Sequence, residues 1–193
     1  LYMGKLYYVM GKSATGKNSI YKGLVSSCTY LKEIVPYTTR PMRSGEVDGK
    51  DYNFITDSDI EGYKKAGKLI ESRVYDTVMG KWTYATIDDG QIEFDKDSIS
   101  IGTLEAYVKL REYYGKKNII PIYIDLEPRL RLIRAMRREA YQENPDYKEL
   151  CRRFLADEED FSDEKLKKAG IEKRYYNKNL SKCMKSIVRD LNL

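Results

Sequence analysis

Gly11-Lys12-Ser13-Ala14-Thr15-Gly16-Lys17 stands between an apolar run, Leu6-Tyr7-Tyr8-Val9-Met10, and a helix-like segment, Asn18 to Ser27. Two glycines let the backbone curl so that successive N–H groups point inward, and the start of a helix adds a positive dipole end. That arrangement suits phosphate oxygens, and Lys17 supplies the charge for a β- and γ-phosphate. Gly11, Ser13, Ala14, Thr15, Gly16, Lys17, Asn18 and Ser19 are the expected nucleotide contacts, and the expected ligand is a nucleoside triphosphate. The usual pattern closes with Ser or Thr directly after the lysine. Here Asn18 holds that place and Ser19 follows. A glycine-rich turn that binds nothing is the bland alternative, and the flanking strand and helix argue against it.

A second polar constellation runs from Thr38 to Phe54. Arg40 and Arg43 are three apart, with Tyr52 nearby. Guanidinium forks match phosphate oxygens bidentately, and a phenol adds a neutral donor, so the group could grip a phosphomonoester. A solvated loop with incidental charges is the alternative.

The chain has no histidine. Histidine bases, Ser-His-Asp triads and His-ligated metals are excluded, leaving lysine, arginine, carboxylates and a metal. That restriction suits phosphoryl transfer, where positioning and charge neutralisation dominate. The net charge is +5, with arginines concentrated between Arg129 and Arg153. A phosphate-handling lid explains the cluster better than a nucleic-acid groove, because the glycine loop already demands phosphate. The same arginines could instead pair with the acidic run Asp157-Glu158-Glu159-Asp160 on a solvated helix.

These residues need a scaffold. Strand-like runs fall at Leu6–Met10, Glu33–Tyr37, Ser98–Ile101, Asn118–Ile124 and Arg174–Tyr176. Helix-like segments fall at Asn18–Ser27, Leu104–Tyr114, Pro128–Tyr141 and Leu180–Leu191. Alternation of this kind predicts an α/β fold with a parallel sheet and flanking helices, ligands lying beyond the carboxyl ends of the strands. Thr38 to Asp89 breaks the rhythm and reads as an inserted, mostly antiparallel lobe with a helix near Asp57–Ala66, capped by Asp57, Ser58 or Asp59. The predicted organisation is one domain: core 1–37, 90–127 and 170–193, lobe 38–89, lid 128–169.

The 193 residues can bury a core. No apolar run reaches the length of a membrane span, so no membrane partner is expected. Leu1 reads as a trimmed or tagged start, and with no basic-apolar-small leader a secretion signal is not expected. Cys28, Cys151 and Cys183 are scattered and read as free thiols of a reducing cytoplasm.

The stretch Thr38-Thr39-Arg40-Pro41-Met42-Arg43-Ser44-Gly45-Glu46-Val47-Asp48-Gly49-Lys50-Asp51-Tyr52-Asn53-Phe54 strongly resembles the guanylate kinase family, whose signature is Thr-Thr-Arg-x-x-Arg-x-Gly-Glu-x-x-Gly-x-Asp-Tyr-x-Phe. With the glycine loop, the arginine-rich segment and the C-terminal strand and helix, the resemblance covers nearly the whole chain. It implies magnesium-dependent transfer of the ATP γ-phosphate to GMP or dGMP, with these small molecules as partners, no nucleic acid, and a monomer or homodimer in the cytoplasm. It implies Arg40, Arg43 and Tyr52 as the acceptor-phosphate clamp, Glu71 as the guanine reader, and Tyr84 and Thr86 as further acceptor contacts. A carboxylate can accept from guanine's N1–H and exocyclic amine together, which adenine cannot offer. It implies Ser19 at the metal, Asn177 near the adenine, and Arg138 and Arg153 with Lys17 and Arg43 as the catalytic cations. Arg134, one helical turn before Arg138, shares its helix face.

The chain departs from the family at three places. Pro36 stands where a serine is usual, and Ser100 and Gly102 stand where two aspartates are usual. Glu71 to Tyr84 is longer than usual, so Asp76 to Trp82 is expected as an extra loop in which Asp76 could restore a carboxylate. Two alternatives stay open: a kinase of another small phosphate ester, and a catalytically silent binding module for an acidic or phosphorylated peptide.

Overall fold

The computed structural model describes residues 3–77 and 80–193. Nine strands and seven helices fall among them: β1 (Leu6–Met10), α1 (Lys17–Ser27), β2 (Lys32–Glu33), β3 (Tyr37–Thr38), β4 (Asn53–Phe54), α2 (Asp57–Lys65), β5 (Leu69–Thr77), β6 (Gly80–Ile87), β7 (Ser98–Gly102), α3 (Leu104–Tyr114), β8 (Ile119–Asp125), α4 (Pro128–Ala140), α5 (Tyr147–Asp160), α6 (Asp163–Lys168), β9 (Arg174–Tyr176) and α7 (Leu180–Leu191). Five strands form one sheet in the order β2-β7-β1-β8-β9, and four form a second in the order β4-β3-β6-β5. β2 pairs parallel to β7, and β8 parallel to β9. The fold is α/β, as the alternation of strands and helices predicts. Every residue of β1 is buried, which a strand covered on both faces requires.

The chain divides into two compact units. The first is Leu1–Leu6, Leu31–Ser100 and Glu105–Ile119; the second is Tyr7–Tyr30, Ile101–Leu104 and Ile120–Leu193.

In the first unit, β6 alternates: Thr83, Ala85 and Ile87 are buried while Tyr84 and Thr86 are only partly so. Ala85 and Ile87 join Tyr37 and Ile60 in a small core, so Tyr84 and Thr86 belong to the opposite face. That opposite face carries most of the expected acceptor residues.

Three expectations need correction here. The strand predicted over Glu33–Tyr37 is broken into β2 and β3. Pro36 has no N–H, and Val35 is bound by side chains instead: its N–H donates to Gln91 Oε1 at 2.9 Å and its carbonyl accepts Asn53 Nδ2 at 3.0 Å. The cap of α2 is Thr56, whose hydroxyl accepts the Asp59 N–H while Asp59 accepts the Thr56 N–H, a capping box. Of the extra loop expected over 76–82, residues 76–77 and 80–82 are strand: Asp76 pairs with Lys81 and Tyr75 with Trp82, β5 and β6 running antiparallel. Aromatic and β-branched residues at Val74, Tyr75, Trp82 and Thr83 favour that extension. Val78 and Met79 of that segment lie outside the described residues. The Asp76 side chain is 82% exposed and lies 4.0 Å from Lys81, so it faces solvent.

Candidate functional site

The phosphate-type loop belongs to the second unit. β1 delivers it, and Gly16 at φ 85° opens α1 as its N-cap. A Cβ on Gly16 would lie 2.4 Å from Asn177 Nδ2, so glycine is required there by conformation and by contact. A Cβ on Gly11 would lie 2.3 Å from the Ile124 carbonyl oxygen. Ala14 also takes a left-handed conformation, at φ 61°. Thr15 is buried, and its hydroxyl donates to the Lys12 carbonyl at 2.8 Å, closing the turn. Asn177 is buried and donates from Nδ2 to the Thr15 carbonyl at 2.8 Å. Arg134 in turn donates to the Asn177 carbonyl at 3.0 Å.

Lys17 begins α1. Burial pushes its ammonium below the ordinary lysine value. The Asp157 carboxylate opposes that shift, and Arg138 and Arg131 add to it. Arg138 thus lies within electrostatic reach of Lys17. Arg153 donates to Glu149 at 2.6 Å on the exposed side of α5. Asn18 and Ser19 are exposed on the first turn of α1. Ser19 shares a helix face with Gly23 and Ser27, and these line a cavity of about 520 Å³ with Leu180, Met184 and Val188 of α7.

The acidic run of α5 meets an arginine as one expectation allows, but a buried one. Arg131 is fully buried; it donates to Asp157 at 3.2 Å, to Glu158, and to the Ser13 carbonyl at 3.1 Å. Asp157 accepts the Ser13 N–H at 2.7 Å, and Glu158 accepts Lys12 Nζ at 2.6 Å. The expected pairing of arginines with this run covers Arg131; the contacts of Lys12 and Ser13 with it were missed, because they join residues 146 and 144 positions apart in the chain.

The acceptor-type residues belong to the first unit. Arg40 is buried and forks onto Glu46, with Nη1 at 2.7 Å from Oε2 and Nη2 at 2.5 Å from Oε1. Its guanidinium lies over the rings of Tyr52 at 4.9 Å and Phe54 at 5.4 Å. The Arg40 hydrogen bonds hold Glu46 at about 2, well below an ordinary glutamate. Arg43 is exposed, and its backbone N–H also binds Glu46 at 2.8 Å. Tyr52 packs edge-on against Tyr84 at 5.7 Å, and burial raises its phenol.

Register builds the rest of this face. Glu71 stands opposite Thr86 and Arg73 opposite Tyr84, while Thr38 stands on the other side of Tyr84. Glu71 is buried and accepts the Thr86 hydroxyl at 2.8 Å and Arg73 Nε at 3.0 Å. Arg40, Tyr52, Glu71, Tyr84 and Thr86 are therefore gathered on one side of one sheet. Arg73 joins them unannounced, although two strand positions after Glu71 was the signal available.

The departures have structural causes. Ser100 is buried and donates to the Ile34 carbonyl at 3.4 Å. A Cβ on Gly102 would lie 2.0 Å from the Tyr8 hydroxyl, so Tyr8 fills the space a side chain would need. No group of three or more His, Cys, Asp or Glu side chains able to hold a metal occurs among the described residues.

Residues 3–93 match the family model described as guanylate kinase. The chain is similar to the guanylate kinase of Thermotoga maritima, 31% identical over 142 residues that cover 71% of this chain and 67% of the relative. It is similar to that of Novosphingobium aromaticivorans, 32% identical over 127 residues, 63% of this chain and 57% of the relative. Its fold is similar to the crystal structure of guanylate kinase from Anaplasma phagocytophilum, with a TM-score of 0.65 at 17% identity over 100% of this chain and 86% of that one.

Proposed function

The chain belongs to the guanylate kinase family, and from that premise we propose that it transfers the γ-phosphate of ATP to GMP, giving ADP and GDP. The observation that carries this reading is the gathering of Arg40, Tyr52, Tyr84, Thr86 and the buried Glu71 on one sheet face.

On this reading the loop from Gly11 to Gly16 wraps the donor phosphates with backbone N–H groups, and Lys17 neutralises them. Arg43, exposed beside the buried Arg40–Glu46 pair, meets the acceptor phosphate with Arg40, Tyr52 and Tyr84. Glu71 accepts from the base, with Thr86 fixing one of its oxygens. Arg138 and Arg153 stabilise charge on the transferring group. Arg153 must leave Glu149 to do so, which its exposure permits. The attacking group is already an anion, so the absence of histidine costs the reaction nothing. Asn177 acts through the loop by holding the Thr15 carbonyl.

The donor set at the start of α1 fits Mg²⁺, which takes few protein ligands and keeps waters and phosphate oxygens. Asn18 and Ser19 are the neutral oxygen carriers there, and of the two Ser19 lies on the α7-facing side of the helix. When bound, the ion would neutralise charge on the donor phosphates. Among the described residues no helix is long and apolar enough to cross a membrane. The free thiols of Cys28, Cys151 and Cys183 support a cytoplasmic setting.

The test is ADP release from ATP with Mg²⁺ across GMP, dGMP, AMP, UMP, CMP and sugar phosphates. Turnover with GMP and dGMP is expected. Turnover with a non-guanine acceptor alone, or with none, overturns the reading.

A further inference from the structure

Arg73 is a cation on the acceptor face for which no motif accounts. Its side chain is 14% exposed and that of Glu71 is 3% exposed. Among the described residues, Thr86 Oγ1 at 2.8 Å and Arg73 Nη2 at 3.4 Å fall on Oε1 of the Glu71 carboxylate, and Arg73 Nε at 3.0 Å on Oε2. An ionised carboxylate offers about four acceptor sites. A guanine edge that donates through N1–H and its exocyclic amine needs two of them, so one contact must yield. The 3.4 Å contact is the weakest of the three.

The group that yields meets a new partner on the same ligand. In guanine the 6-oxo oxygen lies next to N1–H, so a donor swinging off Oε1 finds an acceptor beside it. Tyr37 pairs with Ala85, so Pro36 stands one step along, flanking Thr86, and it has neither N–H nor hydroxyl. Resting on the reading that Glu71 reads the base, we infer that Arg73 is a specificity-determining residue: it keeps Nε on Glu71 and transfers Nη2 to the 6-oxo oxygen of a purine monophosphate. Arginine is a frequent partner of that oxygen in base readout. Adenine places an amine there, and two donors facing each other repel.

The test is calorimetric binding of GMP, IMP and AMP, without donor nucleotide, to the wild type, Arg73→Ala and Arg73→Met. IMP keeps the 6-oxo oxygen and N1–H but lacks the exocyclic amine; AMP lacks the oxygen. Both variants are expected to weaken GMP and IMP by the same factor, about tenfold or more, and to leave AMP unweakened, or tightened where the donor–donor repulsion is relieved. Arg73→Met keeps the stem packing, and thermal unfolding of each variant reports any loss of fold. Equal losses for all three nucleotides would make Arg73 a phosphate contact and overturn the inference. A larger loss for GMP than for IMP would make it a support of Glu71 alone, and also overturn it. A preference for GMP over AMP that is undiminished in both variants overturns this inference while leaving the base-reading role of Glu71 intact. A wild type that does not prefer GMP to AMP removes that role, and the inference with it.

Discussion

The Asp157 carboxylate accepts the Ser13 backbone N–H at 2.7 Å, placing an acidic side chain from α5 on the phosphate-type loop. The same carboxylate opposes the downward shift of Lys17 and takes a hydrogen bond from the buried Arg131. It therefore stabilises the loop's cations and, by the same charge, repels an incoming phosphate. Asp157→Asn keeps an acceptor for Ser13 and removes the charge. ATP binding is expected to tighten roughly three- to tenfold in calorimetry. Unfolding in urea is expected to show a loss of about 1–3 kcal/mol, because Arg131 keeps its burial and loses an ionic partner. Weaker ATP binding at unchanged stability would refute both halves.

Lys17 has a pH signature. Burial, with Arg138 and Arg131, lowers its pKa from 10.5. Between that lowered value and 10.5 the unfolded chain binds the proton and the folded chain does not. Stability contributed by this group therefore rises with pH across that window. On the proposed function activity runs the other way, because phosphate neutralisation by Lys17 needs the ammonium. The alkaline limb of kcat/KM for ATP is expected below 10.5. A limb at or above the ordinary lysine value, or Lys17→Ala with full turnover, contradicts the assignment.

The loop and the helices that cover the sheet were legible because their signals are local. Leu104–Tyr114 and Leu180–Leu191 run between the residues that periodicity predicts, and α1 starts one residue earlier. The glycine pair of the loop encodes its own geometry. The signature from Thr38 to Phe54 announces Arg40 and Tyr52 but not that Arg40 is tied to Glu46. The hairpin of β5 and β6 hides in polar alternation, since its solvent-facing residues resemble those of a loop. Arg73, and the hold of Asp157 on Ser13, were illegible for a different reason. Their meaning lies in partners fixed by strand register or by distant packing, such as Ser13 with Asp157, 144 residues apart.

Glu46 makes the acceptor face sensitive to acid. Its folded value of about 2 lies below the ordinary 4.5, with the Arg40 hydrogen bond the largest cause. A depressed carboxylate contributes stability that is present above 4.5 and lost as pH falls toward 2. Glu46→Gln is expected to flatten that limb of a stability-versus-pH curve measured by denaturant melts. It is also expected to raise KM for GMP, because Arg40 loses the fork that orients it. An unchanged acid limb would show that the pair is broken in solution.

Gly16 is where conformation, packing and, on the proposed function, ligand binding coincide. Its φ of 85° costs a residue with a Cβ about 1–2 kcal/mol. A Cβ would also meet Asn177 Nδ2 at 2.4 Å, displacing the amide that holds the Thr15 carbonyl. Gly16→Ala is therefore expected to destabilise the protein and to abolish measurable ATP binding. Asn177→Ala, which makes room but frees the Thr15 carbonyl, separates the two effects. In that background Gly16→Ala is expected to cost the conformational part alone, about 1–2 kcal/mol in urea unfolding. If the double variant is no more stable than Gly16→Ala by itself, the Asn177 contact does not set the requirement for glycine.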